Sequence, residues 1–222
     1  MNILLTPAAQ SQLSQLKAIN QIPINRIDGR HAAVDKEKTA VDAVSKEVLA
    51  VTSALTALES PTTPPTQEAV NAFVKEYNTL QTMLRAQTAK GGTLALTREA
   101  RDARTDVRNP LSNVDVLSAL SALGIETTRD GLVSNRPATA TMGLSAIAAL
   151  DTAFSKVGTE LSSASTRLAA KETSLDNEKT RANVMVTRTN ARTEKNFLKM
   201  YQAMQQMNSS NGNPASLLGG LT

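Results

Sequence analysis

The chain has 222 residues, 24 Lys plus Arg against 20 Asp plus Glu, no Cys, one His and only 2% aromatic residues. Without Cys there is no disulfide framework, zinc–thiolate site, iron–sulfur cluster or thiol nucleophile, and one His excludes a multi-histidine metal centre. A core with three Phe, two Tyr and no Trp must be built from Ala, Val, Leu, Ile and Met, which favours packed helices over a β-sandwich or barrel.

The start, Met1-Asn2-Ile3-Leu4-Leu5-Thr6-Pro7, lacks a basic n-region and reads as no Sec signal peptide. Residues 26–60 carry a heptad pattern. Ile27, Val34, Val41, Val48 and Leu55 are seven apart, and Val44, Val51 and Leu58 form a second row offset by three, as the a and d rows of a coiled coil do. Valine at so many seam positions gives middling helix propensity, so this helix is expected to depend on a partner surface. A proline-stiffened link over 61–66 ends it. Val70, Phe73, Tyr77, Leu80 and Leu84 then mark a second helix, with Thr66 as its N-cap and Gly91-Gly92 as its stop. Residues 94–109 read as an Arg-rich third helix ended by Pro110, and 114–123 as a short fourth. In 123–133, Ile125, Thr127 and Thr128 favour extension and Asp130-Gly131 signals a hairpin turn.

From about Thr141 to Met207 the pattern is one long helix, with Gly158 as a possible interruption. Leu150, Phe154, Val157, Leu161, Ala164, Leu168 and Leu175 alternate four and three. Beyond Leu175 the seam turns polar, and apolar spacing returns with Phe197, Met200, Tyr201, Met204 and Met207, before a tail containing Leu217, Leu218 and Leu221. The fold expected is mainly α: an antiparallel coiled coil or helical bundle with one small β-hairpin and long terminal helices. Its segments are an N-terminal region (1–25), a coiled-coil helix (26–60), a Pro/Thr linker (61–66), a helical inner domain (67–175) with the hairpin near 123–134, and a C-terminal helix and tail (176–222).

Several of these stretches resemble the flagellar hook-associated protein 2 family, which caps flagellar filaments. Asn71-Ala72-Phe73-Val74-Lys75-Glu76-Tyr77-Asn78-Thr79-Leu80 is similar to that family's "FV..YN.L" helix. Gly92-Thr93-Leu94 with its Arg-rich continuation resembles its "STLR.IR..L" helix. Leu120-Ser121-Ala122-Leu123-Gly124-Ile125-Glu126-Thr127-Thr128-Arg129-Asp130-Gly131 is similar to the "L..LGI.T.RDG.L" hairpin, the most specific match. Residues 197–210 and Leu217-Leu218 resemble the closing "F..L....S.MNS.S.YL..QL". Family members usually carry β-rich domains before the "FV..YN" helix, and here the 61–66 link stands in their place. The resemblance therefore implies a small cap without the outer domains. It also implies export through the flagellar type III apparatus with its chaperone, a homo-oligomeric ring (often of five subunits), and contact with flagellin and the hook-associated junction proteins at an extracellular filament tip.

The seams themselves, Ile27, Val34, Val41, Val44, Val48, Val51, Leu55, Leu58, Leu150, Phe154, Val157, Leu161, Leu168 and Leu175, are candidate coiled-coil packing residues. They are read first as intramolecular core and second as subunit contact. Phe197, Met200, Tyr201, Met204, Met207, Leu217, Leu218 and Leu221 are the candidate filament or subunit interface, because their row follows a polar stretch with no obvious local partner. His31 is expected to be solvated, and the alternating charges of 98–108 to form a salt-bridged exposed face. No phosphate loop, nucleophile elbow or clustered acid pair stands out, so neither an enzyme nor a cofactor is expected. Dispersed charge argues against a nucleic-acid partner, and the absence of a long apolar run argues against a membrane span. The alternatives are another flagellar axial or junction protein, or a cytosolic coiled-coil adaptor or export chaperone.

Overall fold

Thr6 and Pro7 start the first helix, α1 (Pro7–Asn20). The Thr6 hydroxyl accepts the free N–H of Ala9, and Pro7 stands at a position where its missing N–H has no bond to lose. Continuing this helix would put Pro23 in its interior, where the ring clashes with the carbonyl four residues back. The chain instead breaks at Gln21 and restarts as α2 (Ile22–Thr56), with Pro23 in the tolerant first turn. This computed structural model describes residues 5–59 and 63–211, the side chains of 208–211 excepted. After α2 come α3 (Gln67–Thr88), α4 (Arg98–Arg108), a 3-10 turn (Asn109–Ser112), α5 (Val114–Ala122), β1 (Ile125–Thr128), β2 (Gly131–Ser134) and α6 (Leu144–Asn211). The protein is mainly α with one small antiparallel hairpin, as its sequence implies.

Two differences from the sequence reading stand out. Helix α1 forms within the N-terminal region (1–25), where the sequence reading placed no helix bounds, and it is separate from α2. Gly158 does not interrupt α6, because a Cβ there would meet nothing within 4 Å and the glycine lowers helix propensity only, by about 1 kcal/mol relative to Ala.

The chain divides into two compact units, with the boundaries inside α2 and α6. Residues up to His31 with those from Thr173 form the terminal unit, and Ala32–Glu172 form the central unit. The coiled-coil segment expected over 26–60 thus falls mostly in one unit with the inner region.

Within the central unit the heptad rows are core. Val34, Val41, Val44, Val48, Val51, Leu55 and Leu58 are at most 5% exposed, as are Leu150, Phe154, Val157, Leu161 and Leu168 of α6. Lys38–Glu172 (2.7 Å) and Lys171–Glu37 (3.7 Å) flank this seam. Phe73, Tyr77 and Phe154 continue the core as a chain of rings with centroids 6.1 and 6.4 Å apart. The Tyr77 phenol donates to the Val107 carbonyl at 3.1 Å, joining α3 to α4, and burial raises its pKa.

Asn78 holds the hairpin. Its Nδ2 donates to the Leu132 carbonyl and its Oδ1 accepts the Leu132 N–H, each at 2.7 Å, so one side chain serves strand β2 as a neighbouring strand would. The hairpin pairs Ile125 with Ser134 and Thr128 with Gly131. Gly131, at φ 147°, is required because a Cβ there would lie 2.1 Å from Asn78 Oδ1. Replacing Asn78 with Ala orphans two groups of a residue that is 1% exposed, at about 1–3 kcal/mol for each. Asn78→Asp keeps the acceptor but sets a carboxylate against the Leu132 carbonyl. Both variants should lower the melting point of the central unit, with Asp no better than Ala. Equal stability of the wild type and Asn78→Ala would show that water replaces the side chain.

Glu47 of α2 and Glu76 of α3 share a hydrogen bond, and Glu47 Oε1 is buried without a partner. Burial first and that bond second raise the Glu47 pKa, while Lys75, 2.9 Å from Glu76, holds the Glu76 pKa down. An acid whose pKa is raised by folding favours the fold while it is protonated, and it opposes the fold once pH passes its folded pKa. Glu47→Gln should therefore raise the melting temperature at neutral pH and change little below the ordinary glutamate value of 4.5. Melts across that range test it, and a gain independent of pH would remove the carboxyl from the explanation.

Candidate interaction site

The terminal unit contains the residues expected to meet other subunits. Its helices run antiparallel. Asp28 pairs with Lys179, Arg30 with Glu178 and His31 with Asp176, at 2.7, 2.6 and 3.3 Å, one chain number rising as the other falls. Nearer the start, Lys17 pairs with Glu194 at 2.7 Å, and Asn20 Nδ2 donates to Asn190 Oδ1 at 2.9 Å. The polar seam beyond Leu175 thus meets polar partners of the same chain. His31 corrects the expectation of a solvated ring: its side chain is only 18% exposed, because Asp176 and the opposite helix cover it.

Apolar contact in this unit is confined to short patches. Ile24, Ile27, Leu175 and Val186 are buried. Toward the end of α6, Phe197 is 6% exposed and packs with Ala9 and Leu13, with Leu5 and Tyr201 against the same cluster. The rings of Phe197 and Tyr201 stack, with centroids 6.4 Å apart and an interplanar angle of 9°. The Thr6 N–H donates to Tyr201 Oη at 3.4 Å, and hydrogen bonding with Thr6 lowers the phenol pKa.

The apolar row thus splits by face. Phe197 and Tyr201 find the local partner that the sequence did not reveal, on α1. Met200, Met204 and Met207 are 53%, 58% and 64% exposed. Met185 is exposed as well, and with Ile19, Pro23, Ala182 and Val186 it lines a groove of about 350 Å³. Leu217, Leu218 and Leu221 lie outside the described residues. The fourteen expected coiled-coil residues are all buried, Ile27 and Leu175 in the terminal unit and the others in the central one.

Sequence reasoning missed Ala9 and Leu13, although Thr6-Pro7 before a four-residue apolar spacing was a readable helix start. No helix among the described residues is long and apolar enough to cross a membrane. No family model, curated protein or solved structure matches the chain.

Phe197→Ala removes the largest side chain of the cluster holding α1, a loss on the order of 3 kcal/mol for a buried ring. Amide exchange over residues 7–20 should accelerate while exchange in α3 stays unchanged. If α1 keeps its protection, other contacts hold the helix.

Proposed function

We propose that this chain is a structural capping protein at the distal tip of a bacterial flagellar filament. In this reading it self-assembles, promotes flagellin polymerisation and prevents loss of monomers. The observation that carries it is the methionine ridge at the end of α6. Helix α1 already covers the Phe197–Tyr201 face, yet Met200 and Met204 stand more than half exposed at helical spacing. Unbranched thioether side chains suit a surface that must re-pack against successive partners. A cap that moves from one newly added subunit to the next needs such a surface.

Two further features support the reading. Residues from both ends of the sequence fold into one unit, apart from the central body, which suits an axial anchor separate from a working platform. The stretches at 71–80, 120–131 and 197–210 resemble the cap family's motifs in the family's order. Capping is then mechanical: terminal helices engage the filament, and the oligomeric body shelters each emerging flagellin while it folds.

Deletion of the gene should release flagellin monomers into the medium and shorten or abolish filaments. Complementation with Met200→Glu/Met204→Glu should fail although the variant keeps wild-type helicity and melting. Normal filaments in the deletion strain would exclude the capping role, and finding the protein confined to the cytosol would favour an adaptor or chaperone.

A further inference from the structure

Helix α4 interleaves Arg98, Arg101, Arg104 and Arg108 with Glu99, Asp102 and Asp106. By itself the pattern suggests a face that neutralises its own charge, but the fold sorts the two signs. Every acid of the helix is taken: Asp102 by Arg98 at 3.4 Å, Glu99 by Arg167 at 3.0 Å, and the buried Asp106 by Lys156 at 2.9 Å. Two of those cations come from α6, leaving arginines of α4 over. Among the described residues, Arg101, Arg104 and Arg108 have no carboxylate within ion-pair distance. Arg104 makes one long hydrogen bond, to Thr88 Oγ1 at 3.4 Å.

The three guanidinium groups are spaced three and four residues apart, which puts them on one face of α4. All three line one open cleft of about 640 Å³ within the central unit, walled also by α3, the 3-10 turn and β1. Like charges at this spacing repel by about 0.2–0.5 kcal/mol per pair, a cost that a bound anion would remove. Hydroxyls of Thr105, Thr127 and Thr128 and the Asn109 amide add polar groups to the wall. Gln81, also lining the cleft, is 5% exposed, and its Oε1 has no hydrogen-bond partner. That oxygen is itself closed to solvent and lies beside Gly131, so it belongs to the contact between α3 and the hairpin.

We infer that this cleft binds a multiply charged phosphate-type oxyanion, such as pyrophosphate. Guanidinium forks match pairs of phosphate oxygens, which three arginines on one face can engage together. No aromatic side chain is among the lining residues, so there is no platform on which a nucleotide base would stack. The site is independent of the methionine ridge, and its test does not depend on the capping role.

The experiment is calorimetric titration of the full chain with pyrophosphate, inorganic phosphate and citrate at constant ionic strength. Saturable binding of one pyrophosphate per chain is expected, tighter than phosphate or citrate. Arg104→Gln and Arg108→Gln should each weaken it by roughly tenfold or more, and Arg104→Lys, which keeps the charge but not the fork, by less. Arg98→Gln, outside the cleft wall, should bind as the wild type does. Absence of saturable binding, an equal loss in Arg98→Gln, or citrate binding as tightly as pyrophosphate would each overturn the assignment. Circular dichroism confirms that each variant is folded, and should a glutamine variant fail, Arg104→Lys against Arg98→Gln decides.

Discussion

A row of valines cannot keep a 35-residue helix formed in water, and α2 contains such a row. Its existence depends on burying Val34, Val41, Val44, Val48, Val51 and Leu55, and within the central unit each of them is covered. The rest of that unit follows from the same shortage of large apolar side chains. Its three aromatic rings are grouped, and polar side chains such as Asn78 take over jobs that a larger sheet or core would do by itself. The terminal unit meets the shortage differently. Its apolar contacts are short patches linked by ion pairs whose side chains are mostly a third or more exposed, and pairs of that kind contribute little and weaken with salt. Stability is therefore uneven along α2 and α6, low in the unit that carries the exposed methionines and high in the other.

That contrast bears on how a cap would work. A strongly packed body preserves its shape through repeated rounds of assembly. A weakly held end bearing an apolar ridge exchanges intramolecular contacts for intermolecular ones at small cost. The motifs at 71–80 and 120–131 have a structural duty within the body: Asn78 of the first grips Leu132, and Gly131 of the second is small so that Asn78 can approach. Conserving that grip preserves the hairpin, so the functional weight of the capping proposal falls on the ends of the chain.

Much of the architecture was legible because local rules decided it. Heptad spacing located both long helices, Thr66 capped α3 as its position suggested, and the hairpin formed where Asp130-Gly131 signalled it, with Arg129-Asp130 as the turn and Gly131 opening β2. What escaped notice depended on residues far apart in sequence. Helix α1 has a Gln- and Ser-rich composition, and it is ordered by a phenylalanine near the other end of the chain. Phe197 looked unpartnered because α1 offers it only one buried alanine and one buried leucine, too sparse to form a recognisable stripe. The candidate anion cleft was hidden for a related reason: which arginines remain over depends on Lys156 and Arg167, 50 and 68 residues from the acids they neutralise.

The two tyrosines give this division of labour a spectroscopic consequence. With no Trp, all near-ultraviolet emission beyond the weak phenylalanine contribution arises from Tyr77 and Tyr201, one in each unit. Their phenols are displaced in opposite directions, Tyr77 upward by burial and Tyr201 downward by hydrogen bonding with Thr6. An alkaline absorbance titration of the unlabelled protein would therefore separate into two steps. The first reports on the Thr6–Tyr201 clasp of the terminal unit. The second appears only as the interior of the central unit admits hydroxide, so the two chromophores already in the chain act as independent gauges of its two halves.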